Sequence, residues 1–184
     1  LIELLVVLGI IAILCAIAVP ALAGARAAAR NARCLQNLRS LGTSVSLYMD
    51  AHKGLLPYAN EIYSIYSGWT APLDALEPYL GAALPSISGT DITTREPFLC
   101  PADRGERAIH FGMSYGYLPA VFMQVSDPDP STAQVHVTRM YQKDPLESIL
   151  WRDMASWHAL RKPPPNSLHG RNVSRFDGSV GRAQ

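Results

Sequence analysis

Residues 4–25 form an unbroken apolar run of 22 positions without a charged side chain, and Glu3 stands directly ahead of it. As a helix, such a run covers about 33 Å, enough for the hydrocarbon core of a bilayer. The pattern then changes without a break. Residues 26–33 are rich in Ala and Arg, both strong helix formers. Leu35, Leu38, Leu41, Val45 and Tyr48 follow at steps of three and four, the spacing of one buried stripe on a helix. Gly54 and Pro57 supply the stop. These signals predict a single helix from about residue 1 to about residue 51, roughly 75 Å long. Its first half is apolar all round; its second half is amphipathic and must lie against something. Pro20 removes one backbone hydrogen bond and is expected to kink or loosen the helix. Gly9 and Gly24 leave shallow spots where helices can approach closely.

After Pro57 the texture changes. Tyr58, Tyr63, Tyr66, Trp69 and Tyr79 make residues 58–79 rich in aromatics. Residues 73–80 read as a short helix, with Asp74 and Glu77 near its start. Residues 85–94 read as a Ser/Thr/Gly loop, and 108–125 as short β-like pieces broken by Gly112, Gly116 and Pro119. The Asp-Pro-Asp-Pro of 126–131 signals a turn. Residues 133–141 alternate apolar and polar through Val135 and Val137, which predicts a strand, and 149–153 predict another. Consecutive prolines make 162–166 an extended connector. Residues 172–176 and 179–180 flank Asp177-Gly178, a two-residue hairpin signal with Asn172 at its start. One long helix followed by short strands, with no regular crossover helices, is an α+β pattern with an antiparallel sheet.

Composition changes this picture little. The chain has 184 residues, 48% hydrophobic and 17% charged, and much of the apolar excess lies in the first 25, so the rest has ordinary soluble composition. The net charge of +1 gives no global pull toward nucleic acid, and no nucleic-acid partner is predicted. A cleaved secretory signal is the rival reading of the N-terminus. Its apolar core is usually about 7–15 residues behind a basic start, whereas this run is longer. Arg26, Arg30, Arg33 and Arg39 follow the span with no acid among them, and charge counting alone would put that flank in the cytoplasm.

Leu1-Ile2-Glu3-Leu4-Leu5-Val6-Val7, closed by Val19-Pro20-Ala21, resembles the N-terminal helix of type IV pilins and type II secretion pseudopilins. Arg33-Cys34-Leu35-Gln36-Asn37-Leu38-Arg39, Leu99-Cys100-Pro101-Ala102-Asp103 and Ser114-Tyr115-Gly116 resemble segments of a pseudopilin-like family abundant in planctomycetes. So does the tail from His169-Gly170 to Phe176-Asp177-Gly178, although seven residues separate His169 from Asp177 where that family usually has His nine residues ahead of the Asp-Gly pair. The resemblance implies a pilin-like α+β fold. Residues 1–25 would be a transmembrane and filament-core helix, 26–53 its amphipathic continuation, and 54–184 a periplasmic globular domain on a small antiparallel sheet. It implies a non-enzymatic subunit anchored in the bacterial inner membrane by a single pass. The partners implied are membrane lipid, further copies and other pilins, a prepilin peptidase and an assembly platform. Cleavage after a Gly and methylation of the new N-terminal Phe would act on residues ahead of Leu1. A carboxylate in hydrocarbon costs up to about 3 kcal/mol at midspan and less near a helix end. The resemblance assigns Glu3 the role of meeting the N-terminal amine of the adjacent subunit and so setting the filament stagger, with Pro20 letting the helix adapt. A helix N-terminus also favours a nearby negative charge.

Other candidate chemistry is sparse. Of the three cysteines, Cys15 lies in the span and reads as a small packing residue. In an oxidising compartment Cys34 and Cys100 either pair, stabilising the domain by about 4 kcal/mol through loop closure, or stay as separate thiols. No Cys-x-x-Cys pair supports zinc, and no metal is expected. Ca²⁺ enters only through the resemblance, with Asp153, Asn172 and Asp177 as scattered oxygen donors and no ligand string. Gly112-Met113-Ser114-Tyr115-Gly116 matches a nucleophile-elbow pattern, with Asp153 and His158 or His169 downstream, so a serine hydrolase is one alternative. A membrane-tethered binding domain that uses the aromatics of 58–79 is the other.

Overall fold

The computed structural model describes residues 2–59, 64, 68, 71–103, 108, 111–158 and 170–183. Helix α1 runs over Ile2–Ala51 without interruption at Pro20. It ends at Lys53 and Gly54, both with positive φ (56° and 73°), and the Gly54 amide donates back to the Met49 carbonyl at 2.8 Å. That is a left-handed helix stop, which glycine adopts at no steric cost.

The two halves of α1 meet different surroundings. Residues 2–30 are all exposed, about 43 Å of bare rod. From Asn31 onward one face is covered, and Cys34, Asn37, Leu38, Leu41, Gly42, Ser44 and Val45 are buried. The seam thus runs through Cys34 and Asn37, while Leu35 is only half-buried and Tyr48 packs at its edge.

Helix α2 (Leu73–Leu80) lies against α1. The core sheet has four antiparallel strands in chain order: β3 (Tyr115–Tyr117), β4 (Ile149–Asp153), β5 (Asn172–Arg175) and β6 (Val180–Arg182). The second half of α1 packs on β4, β5 and β6. All of β3 and the first three residues of β5 are buried, so these strands have no solvent face. Helix α3 (Leu118–Ser126) packs on β4 and on α4 (Pro130–Lys143). The fold is α+β: one long apolar helix on small antiparallel sheets.

Four expectations fail, each for a physical reason. Residues 133–141 are not a strand but the body of α4. Asp129 caps that helix by accepting the Thr132 amide at 2.9 Å, and Pro130 sits in its first turn, where a missing N–H costs nothing. Ala133, Val137 and Tyr141, spaced by four, then form its buried stripe, so the local alternation of valines is incidental. Of 108–125, only Tyr115–Tyr117 is strand among the described residues, and Pro119 helps start α3 instead. Residues 85–94 contain a hairpin, β1 (Ser86–Ser88) with β2 (Asp91–Thr93), whose Gly89 (φ 63°) opens a two-residue turn. The turn between β5 and β6 has three residues, Phe176 to Gly178, enclosed by Arg175 and Ser179. The Gly178 amide donates to the Arg175 carbonyl (3.0 Å) and the Arg175 amide to the Ser179 carbonyl (2.9 Å), a type I turn with a glycine bulge (φ 85°). The connector at 162–166, together with Tyr63, Tyr66, Trp69 and His169, lies outside the described residues.

Helix α4 is tied to the chain after α1. The Leu56 amide donates to Thr138 Oγ1 at 3.0 Å, and Gln134 Nε2 donates to the Leu56 carbonyl at 2.6 Å. Thr138→Val keeps the shape but leaves the buried Leu56 amide without its acceptor. It is expected to lower stability by about 1–3 kcal/mol with an unchanged denaturant slope, measured by urea unfolding.

Candidate functional site

Side chains alternate across a strand, so the pairing registers identify the residues that face α1. Tyr115 pairs with Asp153, Tyr117 with Trp151, and Trp151 with Ser174. Asn37 Nδ2 reaches Tyr115 Oη at 3.3 Å and also donates to the Leu99 carbonyl at 2.8 Å. Asn172 Nδ2 donates to Asn31 Oδ1 at 2.9 Å. Ser174 lies over Gly42, where a Cβ would collide with its hydroxyl. The helix–sheet seam therefore carries a polar strip of Asn37, Asp153, Asn172 and Ser174, buried beside Trp151 and Tyr115, with the half-buried Asn31 at its edge.

At the end of this strip nearest the bare rod, Cys34 and Cys100 are joined in a disulfide, with Cα atoms 5.0 Å apart. His158 Nε2 lies 3.5 Å from Cys100 Sγ and 3.8 Å from Asp153 Oδ2. Asp153 is fully buried; its Oδ2 accepts the Asn172 amide at 2.9 Å, and its Oδ1 has no hydrogen-bond partner among the described residues. Burial pushes the Asp153 carboxyl up to about 7, against the hydrogen bond from Asn172 and the attraction of Arg171 and Arg182, with Asp103 adding a small upward push. Burial, assisted by Arg182 and Arg30, pushes the His158 imidazole down to about 4. At neutral pH His158 is therefore uncharged, and its approach to Asp153 is not an ion pair.

Ser114 belongs to a different network. Its hydroxyl is fully buried, donates to Asp103 Oδ2 at 2.7 Å and accepts the Cys100 amide at 3.1 Å. Strand β3 follows it, where a nucleophile elbow requires a helix. Asp153 and His158 come together, but against the disulfide. The oxygen donors considered for Ca²⁺ do not form one set. Asp153 and Asn172 share the seam, while Asp177 is at the hairpin tip, where its Oδ1 accepts the Ser179 amide at 2.9 Å. That bond holds the Asp177 carboxyl below its ordinary value.

Glu3 is exposed in the first turn of α1, about 46 Å along the helix from Cys34. Neither Glu3 nor Pro20 touches the seam. Cys15 is an exposed thiol on the rod. Sequence reasoning missed Asn31, Asn37 and the placement of His158. The readable signal was two polar residues, Asn31 and Asn37, beside a stripe at 34, 38, 41 and 45. Comparison with protein-family models, with curated proteins and with solved structures finds no match.

Two predictions follow from the seam. Replacing both Cys34 and Cys100 by Ser is expected to cost about 4 kcal/mol in chemical denaturation, because the bond closes a 66-residue separation. The pH dependence separates the titrating pair. Asp153 is raised, so its contribution is full below about pH 4 and lost as pH rises toward 7; His158 is lowered, so its contribution is full above about pH 6.5 and lost as pH falls toward 4. The slopes oppose one another in the wild-type chain. Asp153→Asn should leave a melting temperature that drops on acidification from pH 7 to 4, and His158→Gln one that rises, as read by thermal scans across that window.

Proposed function

We propose that the chain is a structural, non-enzymatic subunit of a filament of the type IV pilus or type II secretion pseudopilus kind. Residues 2–25 hold it in the inner membrane before assembly, with the globular domain on the periplasmic side. The observation that carries this reading is the bare rod. Ile2, Leu5, Ile13 and Val19 are 78%, 62%, 64% and 66% exposed, and the whole apolar window has no contact with the domain. A surface of that extent cannot face water. The helix is long and apolar enough to cross a membrane, and it continues without a joint into the element on which the domain is built.

A rod that satisfies its own backbone hydrogen bonds is at home in lipid, and it is equally at home against other apolar rods. Leaving the bilayer for a bundle of like helices exchanges one apolar environment for another, so little free energy opposes assembly. Glu3 breaks this neutrality. Its carboxylate sits in the first turn with no hydrogen bond or ion pair among the described residues, and a positive charge from a neighbouring copy would satisfy it. A prepilin peptidase, an assembly platform and other pilins are the partners this function requires. A second reading, a tethered binding domain, draws on a cavity of about 530 Å³ between α3, α4 and β4, lined by Leu118, Phe122, Met140, Tyr141 and Ile149.

Glu3→Ala is expected to leave the protein in the membrane fraction at wild-type levels but to cut filament number at least tenfold in electron micrographs of shed fibres. Wild-type filaments from that variant would overturn the proposal. Removal of residues 2–25 discriminates the second reading, since a binding domain would keep its ligand.

A further inference from the structure

We propose that the reduced form of this chain holds a divalent cation of the Zn²⁺ class between the Cys34 and Cys100 thiolates, the His158 imidazole and the Asp153 carboxylate. The disulfide and the cation are then alternative clamps at one place. This inference does not depend on filament assembly.

The geometry is that of converging ligands. The Sγ atoms of Cys34 and Cys100 and a ring nitrogen of His158 lie within 4.8 Å of one another. The separation of His158 Nε2 from Cys100 Sγ is 3.5 Å. A tetrahedral Zn²⁺ with Zn–S of about 2.3 Å and Zn–N of about 2.0–2.1 Å sets sulfur and nitrogen about 3.5 Å apart. The same Nε2 is 3.8 Å from Asp153 Oδ2. A nitrogen–oxygen edge of the tetrahedron is about 3.3 Å. The Asp153 carboxylate lies outside the 4.8 Å group formed by the two sulfurs and the imidazole, so it has to swing toward the sulfurs to complete the tetrahedron. In a cysteine–histidine–aspartate relay, sulfur and carboxylate meet opposite ring nitrogens. Here both approach the same nitrogen, Nε2.

The second, independent observation is Asp153 itself. It is fully buried, and its Oδ1 has no hydrogen-bond partner among the described residues. A cation reached through Oδ2, the oxygen that faces His158, would neutralise this carboxylate. Two thiolates and one carboxylate around a divalent ion leave one excess negative charge. Arg30 and Arg182 act on His158, and Arg171 and Arg182 act on Asp153, so compensating charge is at hand.

The chemistry balances. An external dithiol gives two electrons and two protons to the Cys34–Cys100 bond and closes to its own disulfide. The two thiols then lose their protons to solvent as the cation binds, with no change in its oxidation state. The sulfurs separate from bonding distance to the edge of the tetrahedron, so the oxidised chain cannot form the site. Coordination would keep α1 attached to β4 when the covalent link is absent.

The test uses the full chain in detergent micelles, reduced with a phosphine under anaerobic conditions and titrated with Co²⁺. The expected result is one equivalent bound with the intense visible bands of tetrahedral cobalt and a thiolate charge-transfer band, both lost on adding Zn²⁺. His158→Ala and Asp153→Asn should each weaken Co²⁺ affinity at least tenfold, and the oxidised chain should give no such spectrum. If His158→Ala does not fold by circular dichroism, His158→Gln carries the comparison. A six-coordinate cobalt spectrum, no uptake, or affinity unchanged in the His158 variants would overturn the proposal.

Discussion

The bond between Cys34 and Cys100 marks the point where one helix stops being a bare rod and becomes the centre of a folded domain. From Arg30 back to Ile2 every α1 side chain is exposed; from Cys34 onward, one face is core. A continuous helix transmits force and orientation along its whole length, because each residue is tied to the next turn. The domain can therefore be positioned by whatever holds the rod only if helix and sheet cannot slide. A cross-link over a 66-residue separation prevents sliding covalently.

The polar strip prevents it in a second way. Apolar side chains pack in several registers at similar cost, but buried hydrogen bonds have one. Asn31 with Asn172, and Asn37 with Tyr115 and the Leu99 carbonyl, would all be broken by a shift of one turn, which would strand their groups away from water. Gly42 adds a steric condition, since only a residue without Cβ lets Ser174 approach the helix this closely. Asp153 is the expensive member of the strip. Burial raises its carboxyl to about 7, while burial holds His158 beside it neutral.

Rod and domain ask for different solvents, and this asymmetry supports the filament reading. The rod presents apolar surface in every direction, so lipid and like helices are both acceptable neighbours. The domain presents short strands, two of which are buried on both faces, and an exposed hairpin tipped by Gly89. Variation in that outer part leaves the rod untouched.

Helix α1 was legible because its signals are local. An apolar run, a stripe at steps of three and four, and a glycine stop lie in consecutive residues and need no partner to be read. The same holds for α2, β4 and β5. Residues 133–141 were misread because Val135 and Val137 suggest a period of two, while the buried stripe runs through Ala133, Val137 and Tyr141; the Asp129 cap and the bonds between Leu56 and both Thr138 and Gln134 hold the helix. Whether Cys34 and Cys100 meet, that His158 stands beside them, and that Asn31 faces Asn172 across 141 residues could not be read at all. Periodicity belongs to neighbours along the chain, whereas these contacts belong to packing, which brings together residues that the sequence keeps far apart.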